Sequence, residues 1–445
     1  MEPRELKGGV PKSVAAEGSK TLTETKRWMK LDNAAKIYPA TMSRTWTALF
    51  RLSANLTETV DPAVLQQAVN QTIKRFPSFA QRLRRGMFWY YFEEINATLR
   101  IQRDAGNPCV RMNFKENSGY MLRVRYYENR IAVEFFHALT DGSGATVFLM
   151  TLVAEYLALK YGAVIPRNEK ILDCSEKPKL EEVEDAFFRF QRGIGRVAKE
   201  QSAFRIPGTE ENFLHIVTGI LDIKEVLALA KKYGCTLTEF LTAVMIMSVA
   251  DVQKRYVPSR RRYKPVKISV PVNLRRFYKT STLRNFSSYV NLGIEPRYGD
   301  FTFEETLKSV KGLMAAETNE KMLNAKFSMN VMFETNLLMK IAPLFVKKVA
   351  LRIASKMGGD RLSSTTISNL GGVDIPDEMA RYVARFECMS GPLKTNRVGC
   401  ACISYNGKLV INMTRKITES YVERGFFSWL VKLGLHVTIE SNQRR

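Results

Sequence analysis

The sequence predicts an α/β (α+β) fold made of two similar lobes packed face to face. Apolar strand and helix patterns alternate in both halves of the chain. The chain has 445 residues, which is more than a single core usually supports, and it shows no short-period repeat. The length therefore favours two lobes, and the missing repeat argues against solenoids and propellers.

The chain divides by composition into four segments. Residues 1–30 are polar and carry no apolar stretch after their early charges, so we expect a flexible polar tail and no signal peptide. Residues 31–180 form the expected N-terminal lobe, and 213–445 the expected C-terminal lobe. The stretch 181–212 between them begins dense in charge and ends rich in turn residues, which is typical of a connector.

One string in the N-terminal lobe carries the strongest sign of chemistry. Residues 134–142 read Glu-Phe-Phe-His-Ala-Leu-Thr-Asp-Gly, with His137 at the end of an apolar strand and Asp141 four residues on. Histidine accepts and returns protons near neutral pH, and the chain has only three histidines. The other two, His215 and His436, lie in apolar strand patterns and are interpreted as structural. The alternative for His137 is an ordinary strand-end residue, with Asp141 as a turn or cap.

The pattern on both sides of this histidine predicts a strand-to-helix loop. Residues 121–127 and 130–136 are rich in β-branched and aromatic side chains around a two-residue turn, which predicts a hairpin. Apolar residues over 146–161 predict the helix that follows. We expect the glycines of the loop, Gly142 and Gly144, to permit a tight turn.

The C-terminal lobe repeats the alternation. Strands are predicted over 215–221 and 266–272, and a short helix over 227–233. Thr236 is predicted to cap a long apolar helix over 239–256. The strand at 266–272 leads into a Pro-Val-Asn-Leu-Arg segment.

The string at 134–142 resembles the His-His-x-x-x-Asp-Gly signature of the chloramphenicol acetyltransferase-like superfamily, which includes condensation domains and acyltransferases. Further segments resemble the same superfamily in the expected order: Pro-Val-Asn-Leu-Arg-Arg at 271–276, Arg-Asn-Phe at 284–286 and Ser-Asn-Leu-Gly at 368–371. The end of the chain, 403–437, looks like the bacterial alcohol acetyltransferase-like branch. One departure is Phe136, which stands where condensation domains carry the first histidine. The second histidine is the one linked to catalysis in this superfamily.

The resemblance implies two mixed-sheet lobes with flanking helices and an active site in a tunnel between them. It implies an acyltransferase, transferring groups other than amino-acyl groups and similar to alcohol O-acetyltransferases. The acyl group would move from a thioester, acyl-CoA in the first place, to an alcohol or amine acceptor, with His137 as general base. Asp141 would orient the loop by pairing with Arg275, for which the alternative is a solvated arginine at a strand end.

The oxyanion would need hydrogen-bond donors, for which the sequence offers three candidates. Gly142 could present a backbone N–H, and Asn285 or Asn369 a side-chain amide. Either asparagine could equally be a turn residue that binds its own backbone. For the segment that begins at Ser368, a structural contribution at the lobe interface is favoured over direct contact with substrate.

Two alternatives stay open at this point. A condensation-type enzyme would take its acyl group from a phosphopantetheine thioester on a carrier protein, and a non-catalytic member would only bind acyl chains or lipids. The predicted enzyme needs no bound cofactor. No structural zinc site is expected, because the six cysteines contain no Cys-x-x-Cys pair. Reduced thiols favour a cytoplasmic protein.

The net charge of +24 implies an acidic partner or surface. We expect no nucleic-acid partner, because the chain has no helix-turn-helix, zinc-finger or RNP-like string and its basic residues are mixed with strong core patterns. The phosphates of coenzyme A would account for a few of the cations. We expect the remainder to favour peripheral contact with an anionic membrane, at its inner surface.

A basic amphipathic helix after Pro343 is the segment for that contact. Its cations recur at four- or eight-residue spacing, and its apolar residues form a stripe. The pattern itself favours an ordinary surface helix with a solvated cationic face, and contact with an anionic membrane is the alternative. The cations are Lys340, Lys348, Arg352 and Lys356, and the stripe is Phe345, Val346, Val349 and Ile353.

Overall fold

A computed structural model describes residues 28–43, 46–192, 200–358, 360–391 and 396–443. The side chains of residues 354–360, among them the predicted basic residue Lys356, lie outside the described part. So do residues 1–27 of the predicted tail and 193–199 of the predicted connector.

The elements alternate between strands and helices along the chain. The strands are β1 (Trp28–Lys30), β2 (Leu49–Leu56), β3 (Gln81–Arg85), β4 (Tyr90–Glu94), β5 (Gln102–Arg103), β6 (Leu122–Tyr127), β7 (Arg130–Phe136), β8 (Glu210–Asp222), β9 (Val266–Asn273), β10 (Ser287–Ile294), β11 (Thr365–Gly372), β12 (Val383–Ser390), β13 (Val398–Tyr405), β14 (Lys408–Ile417) and β15 (Thr438–Ser441). The α-helices are α1 (Ile37–Thr41), α2 (Pro62–Arg75), α3 (Gly142–Tyr161), α4 (Ala186–Phe190), α5 (Ile223–Lys232), α6 (Leu237–Tyr256), α7 (Phe303–Glu317), α8 (Glu320–Thr335), α9 (Leu337–Ile341), α10 (Leu344–Gly358), α11 (Asp377–Ala380) and α12 (Tyr421–Lys432).

Two mixed sheets form the lobes, which confirms the predicted fold class. The N-terminal sheet has the strand order β12-β2-β7-β6-β5, and the C-terminal sheet the order β10-β9-β11-β13-β14-β8-β15. A small third sheet, β1-β4-β3, adjoins the first lobe. Strand β12 comes from the C-terminal half of the chain but pairs antiparallel with β2. The predicted boundaries of the lobes stay a prediction, since the sheets do not follow chain order.

The N-terminal lobe places a hairpin against a buried helix. Strands β6 and β7 pair antiparallel through the turn at Glu128 and Asn129, as the pattern predicts. Helix α3 packs against α2 and the sheet, and its middle is buried all round because it is apolar all round. It is also the one described helix that is long and apolar enough by itself to cross a membrane, and 67% of that stretch is buried inside the protein.

The C-terminal lobe is organised around α6. Thr236 caps this helix, and its hydroxyl and the side chain of Glu239 form a reciprocal capping box. The predicted cap is therefore confirmed, with the helix beginning at Leu237. Strand β8 begins at Glu210, earlier than predicted, because its extension pairs with β14 and overrides the turn-like composition.

Two local predictions were wrong. Helix α3 begins at Gly142 and not at 146, because Asp141 caps it and draws the two glycines into its first turn. His436 does not lie in a strand: it is exposed in the segment between α12 and β15. His215 is buried within β8, and its Nε2 lies 2.7 Å from a carboxylate oxygen of Glu211.

Candidate active site

His137 follows the last residue of β7 and lies between two aromatic rings. Its backbone N–H donates to the carbonyl of Ala48 at 2.8 Å, which continues the pairing of β7 with β2. The Tyr38 ring stacks on the imidazole at 4.8 Å with an interplanar angle of 15°, and the Phe50 ring is 4.9 Å away. Burial lowers the pKa of the imidazole below its ordinary value, which favours the neutral form.

The orientation of the imidazole is set from the other lobe by Asn285. Nδ1 of His137 lies 3.2 Å from Oδ1 of Asn285, and Nδ2 of Asn285 donates to Oδ2 of Asp32 at 3.2 Å. Since the amide nitrogen faces the carboxylate of Asp32, the amide oxygen faces the ring and can only accept. The proton of the neutral imidazole therefore lies on Nδ1, and Nε2 keeps the lone pair that a general base needs.

Asp32 anchors this arrangement from a fully buried position. Its other oxygen, Oδ1, accepts the N–H of Ala35 at 2.7 Å, and Arg284 lies 3.6 Å from its Oδ2. Burial raises the pKa of the Asp32 carboxyl, and the charge of Arg284 opposes that effect. Sequence reasoning missed Asp32, Tyr38 and Phe50. None of them lies in a recognisable motif, and only the fold brings them to His137.

Asp141 makes four hydrogen bonds that hold the loop. Its Oδ1 accepts the N–H groups of Ser143 and Gly144 at 3.1 and 3.2 Å, and so caps α3. Its Oδ2 accepts Nη1 of Arg275 and the N–H of Phe286, both at 2.8 Å. Burial raises the pKa of this carboxyl, but Arg275 and the N–H groups outweigh it, so the pKa lies below its ordinary value. A carboxylate so fully bonded is a poor general base.

Arg275 ties together the segment that carries Asn285. Besides Asp141, its guanidinium donates to the carbonyl oxygens of Thr282, at 3.0 and 2.8 Å, and of Arg284, at 2.6 Å. The pairing with Asp141 that the resemblance implied is thus present as a contact. Asn285 directly follows Arg284. Arg275 therefore connects the loop after His137 to the asparagine that faces the imidazole ring.

The two glycines of the loop, Gly142 and Gly144, lie where the lobes approach each other. A Cβ at Gly142 would lie 2.6 Å from Cδ2 of Leu370, and one at Gly144 would collide with the carbonyl oxygen of Leu283 and the hydroxyl of Thr140. Neither glycine adopts a positive φ. They are therefore required for close packing, and the tight turn expected from the sequence is not the reason.

The segment from Ser368 to Gly371 contributes to the interface through Leu370. Asn369 donates from Nδ2 to the hydroxyl of Thr238 at 3.0 Å, and its Oδ1 accepts the N–H of Gly371. Ser368 pairs with Ala401 across β11 and β13. The structure therefore brings Asn285 to His137, whereas the side chain of Asn369 is bonded to the N-terminal turn of α6 and to its own backbone.

The side chain of Phe136 lies in the hydrophobic core of the N-terminal lobe. Its side chain is fully buried, with the Phe114 ring at 5.3 Å and the Tyr38 ring at 6.5 Å. The position that carries the first histidine in condensation domains thus serves packing in this protein.

The candidate site contains one oriented base, the imidazole of His137, and one hydrogen-bond donor without a described acceptor, the backbone N–H of Gly142. Nε2 of His137 is the free nitrogen of the ring, and among the described residues no acceptor takes the N–H of Gly142 at the start of α3. An imidazole lone pair can remove a proton from an acceptor, and an unbonded N–H at a helix N-terminus can stabilise developing negative charge. The predicted tunnel stays a prediction.

Several solved structures share this architecture. A trichothecene 15-O-acetyltransferase from Fusarium sporotrichioides is 11% identical, with a TM-score of 0.60 over 96% of this chain and 99% of the other. The starter condensation domain of rhizomide synthetase in complex with C8-CoA is 14% identical, with a TM-score of 0.57 over 91% and 94%. Polyketide synthase associated protein 5 from Mycobacterium tuberculosis is 14% identical, with a TM-score of 0.57 over 90% and 97%.

No protein-family model matches the chain, and no curated protein matches it in sequence. At these identities the structural likeness concerns the fold. The chain therefore has the two-lobed fold of the chloramphenicol acetyltransferase-like and condensation-domain proteins.

Proposed function

We propose that the protein is an acyltransferase that moves an acyl group from a thioester to a hydroxyl or amine acceptor, with His137 as general base. The observation that carries the proposal is the Asp32–Asn285–His137 chain of contacts, because it leaves Nε2 as the basic nitrogen of a neutral imidazole. The shared fold with acyltransferases and condensation domains supports the same reaction class.

The reaction requires two proton transfers at one nitrogen. Nε2 of His137 takes the proton of the acceptor hydroxyl or amine while the acceptor atom attacks the thioester carbonyl carbon. The tetrahedral intermediate then expels the thiolate by breaking the C–S bond, and the imidazolium returns its proton to the sulfur. General-base assistance of this kind contributes about 10²- to 10⁴-fold. No covalent acyl-enzyme is needed, since the thioester is already activated.

The environment of His137 supports a base that is ready at neutral pH. Burial lowers the pKa of the imidazole, so the neutral form prevails without a cost for deprotonation. The rings of Tyr38 and Phe50 hold the imidazole in place. Asp141, whose oxygens are occupied by four donors, would act as a positioning residue through Arg275 and Phe286.

We assign the oxyanion contact to the backbone N–H of Gly142. Of the three donors considered from the sequence, Asn285 faces His137 and Asp32, and Asn369 binds Thr238. The N–H of Gly142 has no acceptor within the described residues and belongs to the first turn of α3, where the helix dipole favours negative charge.

Acyl-CoA is the proposed donor and an alcohol the first acceptor to test. A structural neighbour was solved with C8-CoA, and another is named as an O-acetyltransferase. Both names describe those proteins, and they define the substrate panel for this one. Free CoA would be measured as thiol release from acyl-CoAs of graded chain length, with alcohols and amines as acceptors, and the acylated product would be identified by mass spectrometry.

A matched pair of variants separates catalysis from background. Thiol release that depends on an acceptor and disappears in His137→Ala but not in His436→Ala would support the proposal, because His436 is exposed and remote from the motif loop in sequence. Acceptor-dependent release at the wild-type rate in His137→Ala would overturn it. Thiol release without an acylated product would indicate a thioesterase.

A further inference from the structure

A surface formed by the β3–β4 hairpin, α9 and α10 exposes an unusual number of large apolar side chains. Met87 at the tip of the hairpin is 75% exposed, Leu338 of α9 73% and Phe345 of α10 71%. Within α10, Phe345, Val349 and Ile353 recur every four residues and so lie on one face. The exposed apolar residues of this surface are Met87, Phe88, Leu337, Leu338, Ile341, Phe345, Val346, Val349 and Ile353.

Three cations border the same surface without a carboxylate partner. Arg85, Lys348 and Arg352 line an open groove of about 700 Å³ together with Met87 and other apolar side chains. No ion pair within the described residues involves any of the three, whereas Arg82 and Arg84 of the same strand as Arg85 both contact Glu93. Burial lowers the pKa of Lys348, and the charges of Arg352 and Arg85 lower it further. The three cations therefore repel one another, and an anion among them would relieve that repulsion.

The hairpin and α10 form one continuous surface. The N–H of Leu344 donates to the carbonyl of Met87 at 2.9 Å. Buried Lys347 donates to the carbonyl oxygens of Phe88 and Lys340, at 3.0 and 3.2 Å, and its ammonium lies 4.2 Å from the centre of the Trp89 ring. Its charge faces inward, so among the described side chains of α10 the outward charges belong to Lys348 and Arg352.

We infer that this surface docks on a bilayer that contains anionic phospholipid. The apolar side chains would enter the interfacial region, and Arg85, Lys348 and Arg352 would meet the headgroup phosphates. A basic amphipathic helix with exposed large apolar residues is the arrangement that binds such interfaces. The net charge of +24 favours an anionic partner, and the exposed apolar residues distinguish a bilayer from a soluble polyanion.

The docking surface adjoins the candidate active site through α1. Nε of Arg352 donates to the carbonyl of Ala40 at 3.1 Å, and α1 and α10 pack together. The same helix α1 carries Tyr38, which stacks on His137. Docking would therefore place the bilayer on α10, which packs against the helix that carries Tyr38, and the inference rests on the surface itself and not on acyl transfer.

The test is vesicle binding by the full chain without any substrate. The double variant Arg85→Glu/Lys348→Glu reverses two cations that make no described hydrogen bond, and it leaves Arg352 on Ala40. A cation near an anionic surface contributes about fivefold in partitioning, so losing two should weaken binding to phosphatidylglycerol-containing vesicles by about 25-fold, and the two added carboxylates should weaken it further. Binding of the wild type should also weaken as salt shortens the Debye length from about 10 Å at 0.1 M to about 3 Å at 1 M.

The matched control is Lys224→Glu/Lys308→Glu, which changes the net charge equally at exposed positions on α5 and α7. This control variant should retain most of the wild-type binding to anionic vesicles. Equal loss in both double variants would reduce the effect to net charge and overturn the docking surface. Equal binding of the wild type to phosphatidylcholine vesicles, or no binding to either kind, would overturn it as well.

Two further measurements distinguish binding to a bilayer from binding to a soluble anion. Displacement from vesicles by free CoA or inorganic phosphate at constant ionic strength would assign the three cations to a soluble phosphate and overturn the inference. Insertion of the α10 face into the bilayer is measured with the variant Phe345→Trp. The emission of the added tryptophan should shift to the blue on anionic vesicles and should be quenched by brominated lipid. Unchanged fluorescence on anionic vesicles would contradict insertion of the α10 face.

Discussion

Oδ1 of Asn285 lies 3.2 Å from Nδ1 of His137, and the two residues come from different lobes. His137 follows a strand of the N-terminal sheet, while Asn285 precedes β10 of the C-terminal sheet. Asp32 holds the amide nitrogen of the same asparagine. The tautomer of the proposed base is thus set only when both lobes are in place, and the site is a property of their interface.

Replacing Asn285 by leucine should impair turnover without removing the base. The ring would lose the partner that keeps the proton on Nδ1, so we expect kcat to fall roughly 10- to 100-fold, part of what a general base contributes. The bond to Asn285 raises the pKa of His137 against the effect of burial. Its loss should therefore move the acid limb of kcat against pH to a lower pH, which a purely structural defect would not do.

The control for this variant is Asn369→Ala. Asn369 binds Thr238 and the N–H of Gly371, so its loss should cost about 1 kcal/mol of stability per hydrogen bond and leave the pH profile unchanged. A shifted acid limb in Asn369→Ala, or an unchanged one in Asn285→Leu, would contradict the assignment of Asn285 as the positioning residue.

His137→Ala should lower kcat by about 10²- to 10⁴-fold. In the wild type the acid limb should lie below the ordinary histidine pKa of about 6.5, because burial lowers the pKa of this imidazole and the base works in its neutral form. Steady-state rates between about pH 5 and 8 test this prediction. A limb above 6.5 would show that another group carries the proton.

Asp141→Asn should lower stability together with activity. A single amide oxygen cannot accept on both sides, and Arg275 would lose its carboxylate, which typically costs about 3 to 5 kcal/mol for a buried pair. The folded-state pKa of Asp141 is below its ordinary value. Its contribution is therefore fully present above about pH 4 and is lost as the pH falls through the lower, folded-state value. Melting temperatures of the two proteins should differ by a constant amount above pH 4 and converge below it.

Local sequence patterns predicted the elements next to the site because those elements are stabilised locally. The hairpin of β6 and β7 and the capping box at Thr236 each depend on residues close together in the chain. The start of α3 was missed because the helix was placed by its apolar residues, which begin at 146, although Asp141 caps it through the nearby N–H groups of Ser143 and Gly144. The motif segments themselves indicated His137, Asp141 and Arg275 through family resemblance.

The residues that complete the site were beyond local patterns. Asp32 is 253 residues from Asn285 along the chain, and no periodicity or turn signal connects them. Likewise, β12 joins the N-terminal sheet by pairing with β2, although it lies in the C-terminal half. Such contacts depend on how the lobes pack, and the composition of either segment does not reveal them.

Replacing the two glycines of the loop, Gly142 and Gly144, by alanine should lower stability by different amounts. A Cβ at Gly142 meets only the terminal methyl of Leu370, which can rotate away, whereas a Cβ at Gly144 meets the carbonyl oxygen of Leu283. We expect Gly144→Ala to cost about 1 to 3 kcal/mol or more, and Gly142→Ala clearly less. Chemical denaturation of both variants is the measurement. A larger loss for Gly142→Ala would show that Leu370 is held more rigidly than the backbone of the facing loop.

Phe136→His should not improve catalysis, although it restores the first histidine of the condensation-domain motif. The side chain of residue 136 is fully buried beside Phe114 and Tyr38, so an imidazole there would lie in the core and lack a described polar partner. Burying an unpaired polar group costs about 1 to 3 kcal/mol, and the disturbance would reach His137 through Tyr38. We therefore expect a lower melting temperature and an equal or lower kcat. The control Phe136→Leu keeps the site apolar, and it should lose packing without placing a polar group in the core. A rise in kcat for Phe136→His alone would mean that position 136 reaches the substrate, which the packing of its ring contradicts.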